Sequence, residues 1–165
     1  MAKVLLILGS NLGDRKVNLE NAHKLLKQFA GDVLKMSSIY ETEPWGCDYE
    51  YFFLNQVIEL ETDLDPWVLL SATQRIESIL GRVRENERYA PRTMDIDILL
   101  YDDLIITSPG LIIPHPEMHK RRFVLNPMVE VFADLRHPKL GKSMLALQRE
   151  CIDPKKAMKL HGNSL

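Results

Sequence analysis

The chain has 165 residues, of which 45% are hydrophobic and 27% are charged, so its length and composition suit one domain with a sizeable core. A formal net charge of −2 argues against a globally basic surface for nucleic acid or anionic membrane. The first apolar run breaks at Gly9, too early for a signal peptide or a membrane span, and Cys47 and Cys151 have no neighbour at metal-ligand spacing. We therefore expect a single soluble, cytoplasmic domain spanning residues 1–165, with free thiols and neither a membrane nor a nucleic-acid partner.

The first half of the chain alternates strand and helix patterns. An uninterrupted apolar run at residues 4–8 predicts a buried strand, and a helix follows from about Asp14 to a stop at Gly31. Residues 33–40 and 53–61 then read as strands, the second by its β-branched content and its alternation of apolar and polar residues. These two runs predict an antiparallel pair.

A second helix and a further strand complete this pattern. Asp65 and Pro66 form a strong helix start, as N-cap and first helical residue, and Gly81 is placed to end that helix. On its polar side lie Gln74 and Glu77, where a ligand or only water could meet them. A strand at residues 92–99 follows. The order predicts a ferredoxin-like βαββαβ sandwich of the α+β class, with a mainly antiparallel sheet and two main helices on one face.

Beyond Tyr101 the periodic pattern weakens. Short apolar runs at residues 104–106 and 111–113 flank a Ser-Pro-Gly turn and predict a small C-terminal hairpin, and short helices are expected after it. The tail at residues 155–165 is polar, so we expect it to fray.

The fourth strand of the βαββαβ pattern carries two acidic residues on one face. Successive strand side chains alternate, so Asp95 and Asp97 share a face opposite Ile96 and Ile98, with the two Asp Cα atoms about 7 Å apart. Two carboxylates so placed could bridge two magnesium ions roughly 3.5–4 Å apart. With the helices over the isoleucines, the aspartates would line an open side of the sheet. The alternative, which D-x-D alone favours, is the solvent face of an edge strand.

Basic residues precede the acid pair in one long loop. Residues 81–92 hold four arginines, whose planar guanidinium groups fit phosphate oxygens, and carboxylates bind the hard cations that bridge those phosphates. This combination indicates a nucleotide polyphosphate. The alternative is a solvated loop in which Glu85 and Glu87 pair locally with the arginines.

A second long loop, residues 41–52, is rich in aromatic side chains. Flat aromatic surfaces suit a flat heterocycle, and Phe123 lies near another basic run. Both loops exceed the usual connection of about 4–6 residues, and we expect them to act as lids at one end of the sheet. Packing of Trp45 and Phe53 under their own loop is an equally open interpretation.

Seven sequence blocks follow one another in a specific order. One is R-Y-A-P-R-T-M-D-I-D-I-L at residues 88–99, and the others are G-S-N-L-G-D at 9–14, S-S-I-Y-E-T-E-P at 37–44, L-N at 54–55, Q-R-I-E at 74–77, G-R-V-R at 81–84, and P-H-P-x-M with R-x-F at 114–123. Together they resemble the 6-hydroxymethyl-7,8-dihydropterin pyrophosphokinase family of the folate pathway. Seven ordered blocks are far more specific than any single one.

This resemblance implies ATP-dependent transfer of pyrophosphate to the pterin hydroxymethyl oxygen, with release of AMP. Two magnesium ions would be held by Asp95 and Asp97, and Arg82 and Arg92 would assist transfer as further catalytic residues. The residues that match the family's pterin site are Gly9, Ser10, Asn11, Thr42, Pro44, Trp45, Phe53, Asn55 and Phe123. Those that match its ATP site are Gln74, Glu77, Arg84, Arg88, Tyr89, Ile98, His115 and Arg121. A monomer acting on these two small molecules is expected.

Three positions depart from the usual pattern of that family. Tyr89 stands where Trp is frequent and Phe53 where Tyr is frequent, so both keep a ring face for stacking. Pro116 follows the histidine where Tyr is frequent, and it can neither stack comparably nor donate a hydrogen bond.

Two rival functions fit parts of the pattern. A ferredoxin-like RNA-binding module would place aromatic residues on the open sheet face, where this chain has acids. A metal-dependent phosphohydrolase would share the acid pair. It would release phosphate without pterin, whereas a pyrophosphokinase forms AMP only when pterin is present.

Overall fold

The computed structural model describes residues 1–43, 52–81 and 93–160. Its strands are β1 (Ala2–Ser10), β2 (Asp32–Met36), β3 (Tyr40–Thr42), β4 (Phe53–Thr62), β5 (Asp95–Tyr101), β6 (Ile106–Ser108), β7 (Leu111–Ile113) and β8 (Ala157–Lys159). Its helices are α1 (Arg15–Phe29), α2 (Pro66–Ile79), α3 (Arg122–Phe132) and α4 (Met144–Glu150), with a 3-10 turn at Met118–Lys120. No helix in these ranges has the length and apolar character needed to cross a bilayer.

The main sheet is antiparallel at every pairing among its described strands. Its order is β5-β1-β4-β3-β8, and β2 also pairs with β4. The predicted hairpin is present as β6 and β7. β2 and β3 can be counted as one interrupted strand. In chain order, β1, α1, this interrupted strand, β4, α2 and β5 then form the predicted βαββαβ arrangement.

The single strand predicted at residues 33–40 is in fact two strands. β2 pairs with one end of β4 and β3 pairs with the other. Between them the N–H of Val57 donates to Ser37 Oγ at 3.0 Å, and the N–H of Ser37 donates to the Val57 carbonyl at 2.8 Å. A serine hydroxyl that takes part in the backbone ladder offers the chain an alternative to regular strand pairing, which explains the interruption.

Both main helices begin where the sequence predicts, and the predicted N-cap Asp65 is confirmed. The carboxylates of Asp14 and Asp65 accept hydrogen bonds from backbone N–H groups of the first turn of α1 and α2, respectively. α1 ends just before Gly31, where a Cβ would collide with the backbone carbonyl of Glu61 on β4. The two helix starts are set by short-range capping, which is why the sequence predicts them well, whereas the need for glycine at position 31 comes from the distant strand β4.

Two apolar cores lie on opposite faces of the sheet. The first lies under α1 and α2 and includes Leu6, Leu26, Ile58, Ile76 and Ile98. The second lies under α3 and α4 and includes Ile7, Val57, Leu100, Leu125 and Leu147. The prediction of an open face opposite the main helices is therefore wrong for most of that face. Its strands present apolar side chains there as well, and α3 and α4 remove them from water.

A β-bulge in β5 changes which face its later residues occupy. The register of β5 against β1 shifts by one residue, which leaves Leu99 as the extra residue. Leu99 and Leu100 both lie in the second core, and Tyr101 returns to the first. The Tyr101 hydroxyl there donates to the backbone carbonyl of Leu64.

The prediction that residues 155–165 fray is wrong for part of that range. Ala157–Lys159 form β8, which pairs antiparallel with β3. Lys159 Nζ lies 3.3 Å from Glu130 Oε2 on α3. The edge of β3 offers backbone groups that need partners, and the tail supplies them although its composition is polar. Residues 161–165 lie outside the described residues.

A buried histidine between α3 and α4 makes the stability of the fold depend on pH. Burial, and then the neighbouring His119, lowers the pKa of His137, whose Nδ1 accepts from the N–H groups of Lys139 and Leu140. Below about pH 6.5 the unfolded chain takes up a proton that the native His137 resists, so the free energy of unfolding falls as pH falls. The pKa values of His115 and His119 are lowered too, and act in the same direction.

We expect His137→Asn to reduce this pH dependence, because asparagine can still accept from the two N–H groups but does not titrate. Urea unfolding at about pH 7.5 and about pH 5.5 measures the loss in wild type and variant. An equal loss of unfolding free energy in both proteins would contradict the assignment.

Candidate active site

Neighbouring strands place one residue each in a row across the second face of the sheet. Gly9 on β1 pairs with Asp95 on β5 and with Asn55 on β4, and Asn55 pairs with Tyr40 on β3. Adjacent strands lie about 4.8 Å apart, so roughly 10 Å separates the backbones of the acid and the amide across Gly9. From Asp95 to Asn55 the row therefore presents an acid, a position without a side chain, and an amide.

The missing side chain of Gly9 is required by its neighbours. A Cβ at this position would lie 3.0 Å from Asn55 Oδ1 and 3.5 Å from Phe53 Cδ1. Asn55 is 4% exposed, and its Nδ2 donates to Thr42 Oγ1 at 2.8 Å, which holds the amide with its carbonyl oxygen toward Gly9. The structure thus brings together four residues that the sequence assigns to the pterin site.

The turn after β1 is held in place by α1. Ser10 and Asn11 are buried at the end of β1. Asn18, near the start of α1, donates to Ser10 Oγ at 3.0 Å and to the carbonyl of Leu12 at 2.9 Å. Two further predicted pterin-site residues therefore lie directly beside Gly9.

Asp97 faces a histidine next to the acidic end of the row. The Asp97 side chain is 43% exposed, and its Oδ2 lies 3.9 Å from His115 Nε2. The N–H of Glu117 donates to His115 Nδ1 at 3.1 Å, so the neutral ring carries its proton on Nε2, toward Asp97. Burial, and then the charge of Arg121, lowers the pKa of His115. His115 is therefore neutral near pH 7.

The acidic donor set suits a hard divalent cation that brings other ligands with it. Asp95 and Asp97 offer carboxylate oxygens, the ligand type that Mg²⁺ prefers. Within residues 1–43, 52–81 and 93–160, no group of three or more His, Cys, Asp or Glu side chains is placed to hold a metal. Two carboxylates nevertheless suffice for Mg²⁺ that keeps water and phosphate ligands.

The start of α3 carries two of the predicted ligand contacts. Phe123 is half-buried against the second core, and the guanidinium carbon of Arg121 lies 5.7 Å from the centroid of its ring. This distance is within the range of a cation–π contact. Phe53 alternates in phase with Val57, which lies in the same core. The two phenylalanines assigned to the pterin are therefore on the same side of the sheet.

Two of the predicted ATP contacts have buried side chains. Glu77 is 3% exposed, and its Oε1 accepts from the N–H of Ile96 at 3.3 Å, so it lies against β5 and not on a solvated helix face. The side chain of Ile98 packs in the first core, so a contact with ATP would have to come from its backbone. Gln74 is half-buried on α2. The ATP contacts of these three residues stay predictions.

The remaining predicted site residues lie outside the described residues. These are Pro44, Trp45, Arg82, Arg84, Arg88, Tyr89 and Arg92. Their assigned roles at the pterin and the triphosphate stay predictions.

Arg15 beside the site was missed by the sequence reasoning. Its guanidinium donates to Glu41 Oε2 and to the carbonyl of Phe52, both at 2.9 Å. It thereby joins the strand that carries Thr42 to the start of the strand that carries Phe53. These contacts span 26 and 37 residues of sequence, so no local spacing could have indicated them.

Most of the chain matches one known protein family. Residues 5–133 match the model of the 7,8-dihydro-6-hydroxymethylpterin-pyrophosphokinase family. The chain belongs to this family. The match includes every residue of the row across the sheet, together with His115, Arg121 and Phe123.

Two curated relatives of this pyrophosphokinase are similar to it over most of their length. The chain is 50% identical over 125 residues to the 2-amino-4-hydroxy-6-hydroxymethyldihydropteridine pyrophosphokinase of Bacillus subtilis, which covers 75% of this chain and 74% of that protein. It is 45% identical over 141 residues to the protein of the same name from Porphyromonas gingivalis, with 84% of this chain and 95% of that protein covered. The predicted family and the predicted pyrophosphokinase activity are confirmed.

A solved structure shares the fold of this pyrophosphokinase. The chain is similar to the crystal structure of Plasmodium falciparum HPPK-DHPS A437G with SDX-DHP, with a TM-score of 0.75 at 18% sequence identity. The likeness covers 90% of this chain and 45% of that chain, so the pyrophosphokinase spans less than half the length of the protein it matches. At this identity the comparison concerns the fold alone, and it confirms the predicted α+β, ferredoxin-like class.

Proposed function

We propose that this pyrophosphokinase transfers the terminal pyrophosphate of ATP to the hydroxymethyl group of 6-hydroxymethyl-7,8-dihydropterin, giving AMP and the pterin diphosphate for folate biosynthesis. The row Asp95–Gly9–Asn55 is the observation that carries this proposal. It gives a flat heterocycle a place to lie over Gly9, with an oriented amide at one end and acids at the other. The polar end of the ring and its reactive hydroxyl would thus be bound at opposite ends of the row.

Pterin binding, as proposed, requires close approach of the ring to the sheet. The ring would lie over Gly9, where no Cβ intervenes, and the amide of Asn55 would bond its polar edge. Phe53 and Phe123 would contact its two faces, because stacking against aromatic rings suits a flat heterocycle. The oriented Asn55 amide and the location of both phenylalanines on one side of the sheet support this arrangement. Ser10, Asn11, Thr42, Pro44 and Trp45 would border the pocket.

The ATP half of the proposal uses the outer side of β5, an edge strand of the sheet. Arg121 would bind phosphate oxygens through its forked donors. His115, neutral and protonated on Nε2, would act as a donor without adding a positive charge beside Asp97. Gln74, Glu77, Arg84, Arg88, Tyr89 and Ile98 complete the proposed ATP site.

Chemically, the transfer is a displacement at phosphorus. The hydroxymethyl oxygen forms a bond to the β-phosphorus of ATP while the bond from that phosphorus to the α-phosphate oxygen breaks, AMP leaves, and the hydroxyl proton is lost to solvent. Two magnesium ions held by Asp95 and Asp97 would neutralise phosphate charge and activate the hydroxyl. The two aspartates place negative charge where cations must collect. Arg82 and Arg92 would stabilise charge that develops on the leaving group, and exclusion of water would prevent hydrolysis of ATP.

Product analysis tests the proposed function directly. The protein is incubated with ATP, MgCl₂ and 6-hydroxymethyl-7,8-dihydropterin, and the products are identified by mass spectrometry. Formation of AMP and pterin diphosphate in equal amounts, and only when pterin is present, is the expected result. Release of inorganic phosphate from ATP without pterin would instead support the phosphohydrolase.

We expect Arg82→Ala and Arg92→Ala to lower kcat more than they weaken pterin binding, because charge develops on the leaving group only in the transition state. Arg149→Ala, which alters an exposed arginine on α4, serves as the matched control. Steady-state kinetics give kcat, and equilibrium titration gives the Kd of the pterin. Equal losses of rate and affinity would show that the two arginines only bind the ground state.

We further propose that the protein acts as a cytoplasmic monomer and that residues 1–165 form one domain. The free, buried thiol of Cys151 is compatible with a reducing compartment. Sedimentation at micromolar concentration would test the monomer.

A further inference from the structure

The chain that follows α4 runs along one side of α3. We call residues 151–159 the C-terminal strap. Its carbonyls at Cys151 and Asp153 accept from the guanidinium of Arg122, at 2.8 and 2.6 Å. Farther along, the carbonyl of Ala157 accepts from Asn126 Nδ2 at 3.1 Å. The ion pair between Lys159 and Glu130 follows one turn later, so the strap bonds the positions 122, 126 and 130 that form one stripe of the helix.

The strap also caps the N-terminus of α3. The residue that precedes the helix, Arg121, makes no side-chain capping hydrogen bond. Instead the first helical N–H, that of Arg122, donates to Asp153 Oδ2 at 3.1 Å. Asp153 is 5% exposed, and its other oxygen accepts from the N–H of Lys155 at 3.0 Å. A carboxylate at this place satisfies a free helix N–H and interacts favourably with the helix dipole.

The capped residue lies between two residues of the proposed site. Arg121 precedes it, Phe123 follows it, and their side chains are in contact with each other. Any change in the direction of the first turn of α3 would therefore move the proposed phosphate contact and the proposed pterin contact together. Asp153 lies beyond residues 5–133, the part of the chain that matches the family model.

We propose that Asp153 is a positioning residue for substrate binding: through Arg122 it fixes the start of α3 and hence the directions of Arg121 and Phe123. This inference rests on the proposed function, which assigns those two residues to ATP and pterin. Asp153 itself touches neither substrate. Its loss should weaken the binding of both substrates while kcat at saturation is largely retained.

Substitutions at Asp153 test this role in the full-length protein. Asp153→Ala removes both acceptor oxygens, and Asp153→Asn keeps the volume and one of them. We expect the Kd of the pterin and the KM for ATP to rise about fivefold in Asp153→Ala, which corresponds to the loss of one helix cap, and less in Asp153→Asn. The control is Glu150→Gln at the end of α4, which alters an exposed ion pair with Lys142. It should change neither constant by more than about twofold.

A double-mutant cycle separates positioning from a general loss of stability. If Asp153 acts through Phe123, Asp153→Ala should weaken pterin binding in the wild-type background and have no further effect on the Kd in a Phe123→Ala background. Should Asp153→Ala fail to fold, the same cycle with Asp153→Asn must show the same sign. Equal effects in both backgrounds, or an active wild type whose pterin Kd is unchanged by Asp153→Asn, would overturn the positioning role alone. A wild type that formed no AMP would refute the proposed function and this inference with it.

Discussion

Replacing Asp97 with alanine is expected to lower kcat roughly a hundred- to a thousandfold, while the free energy of unfolding stays within about 0.5 kcal/mol of the wild-type value. Asp97 lies at the accessible end of the second sheet face, with 43% of its side chain exposed. Its removal therefore leaves no cavity, and it relieves repulsion from Asp95 on the same face. The proposed site, by contrast, loses one of its two metal-binding carboxylates.

Two measurements distinguish this outcome from misfolding. Single-turnover rates at saturating MgCl₂ report the chemical step, and urea unfolding reports stability. Asp103→Ala is the matched control, because Asp103 is an exposed acid on the turn after β5. Near-normal turnover of Asp97→Ala at saturating magnesium would contradict the role of this carboxylate.

Gly9→Ala is expected to weaken pterin binding roughly tenfold to a hundredfold, in line with an overpacking cost of about 1–3 kcal/mol. The new methyl group would lie 3.0 Å from Asn55 Oδ1. A shift of Asn55 would cost free energy, because this side chain is buried and donates to Thr42 Oγ1. The methyl group would also occupy the surface over which the ring is proposed to lie.

The matched control for Gly9→Ala is Gly110→Ala on the hairpin turn. A Cβ at Gly110 would meet nothing within 4 Å, so pterin binding should be unchanged there. Fluorescence titration of the pterin gives the Kd, and thermal unfolding gives the loss of stability. If Gly9→Ala lowered the melting temperature but bound pterin with wild-type affinity, the proposed location of the ring would be wrong.

Local chemistry explains which parts of the fold the sequence could predict. The caps Asp14 and Asp65 act on backbone groups within their own first turn, so residue type and spacing identify them. The bulge at Leu99 and the pairing of β8 with β3 depend on partners far away in sequence. The cover that α3 and α4 form over the second face was missed for the same reason, since nothing in β1, β4 or β5 states which later segment will bury their apolar residues.

The site shows the same division between local and long-range information. Asp95 and Asp97 are placed correctly by strand alternation alone, and the family resemblance assigns Gly9, Asn55 and Phe123 to a pocket. The sequence predicts Glu77 on the polar side of α2, where a ligand or only water could meet it. It is buried instead, since its carboxylate accepts from the N–H of Ile96 on a neighbouring strand. The capping of α3 by Asp153 spans 31 residues and has no local signature.

The single extra residue in β5 determines which faces of the sheet the side chains at the two ends of the strand occupy. Asp95 and Asp97 must point to one side while Tyr101 is anchored on the other, and this combination exists only because the alternation skips once at Leu99. If the bulge were lost without a change in length, Asp97 and Tyr101 would share a face. With Tyr101 still bound to Leu64, both carboxylates would then turn into the apolar core beneath α1 and α2. Deleting Leu99 would also restore regular alternation, but it would leave the two acids and Tyr101 on their present faces. In evolution or engineering, this segment should therefore tolerate the loss of its extra residue far better than a slip of register at constant length.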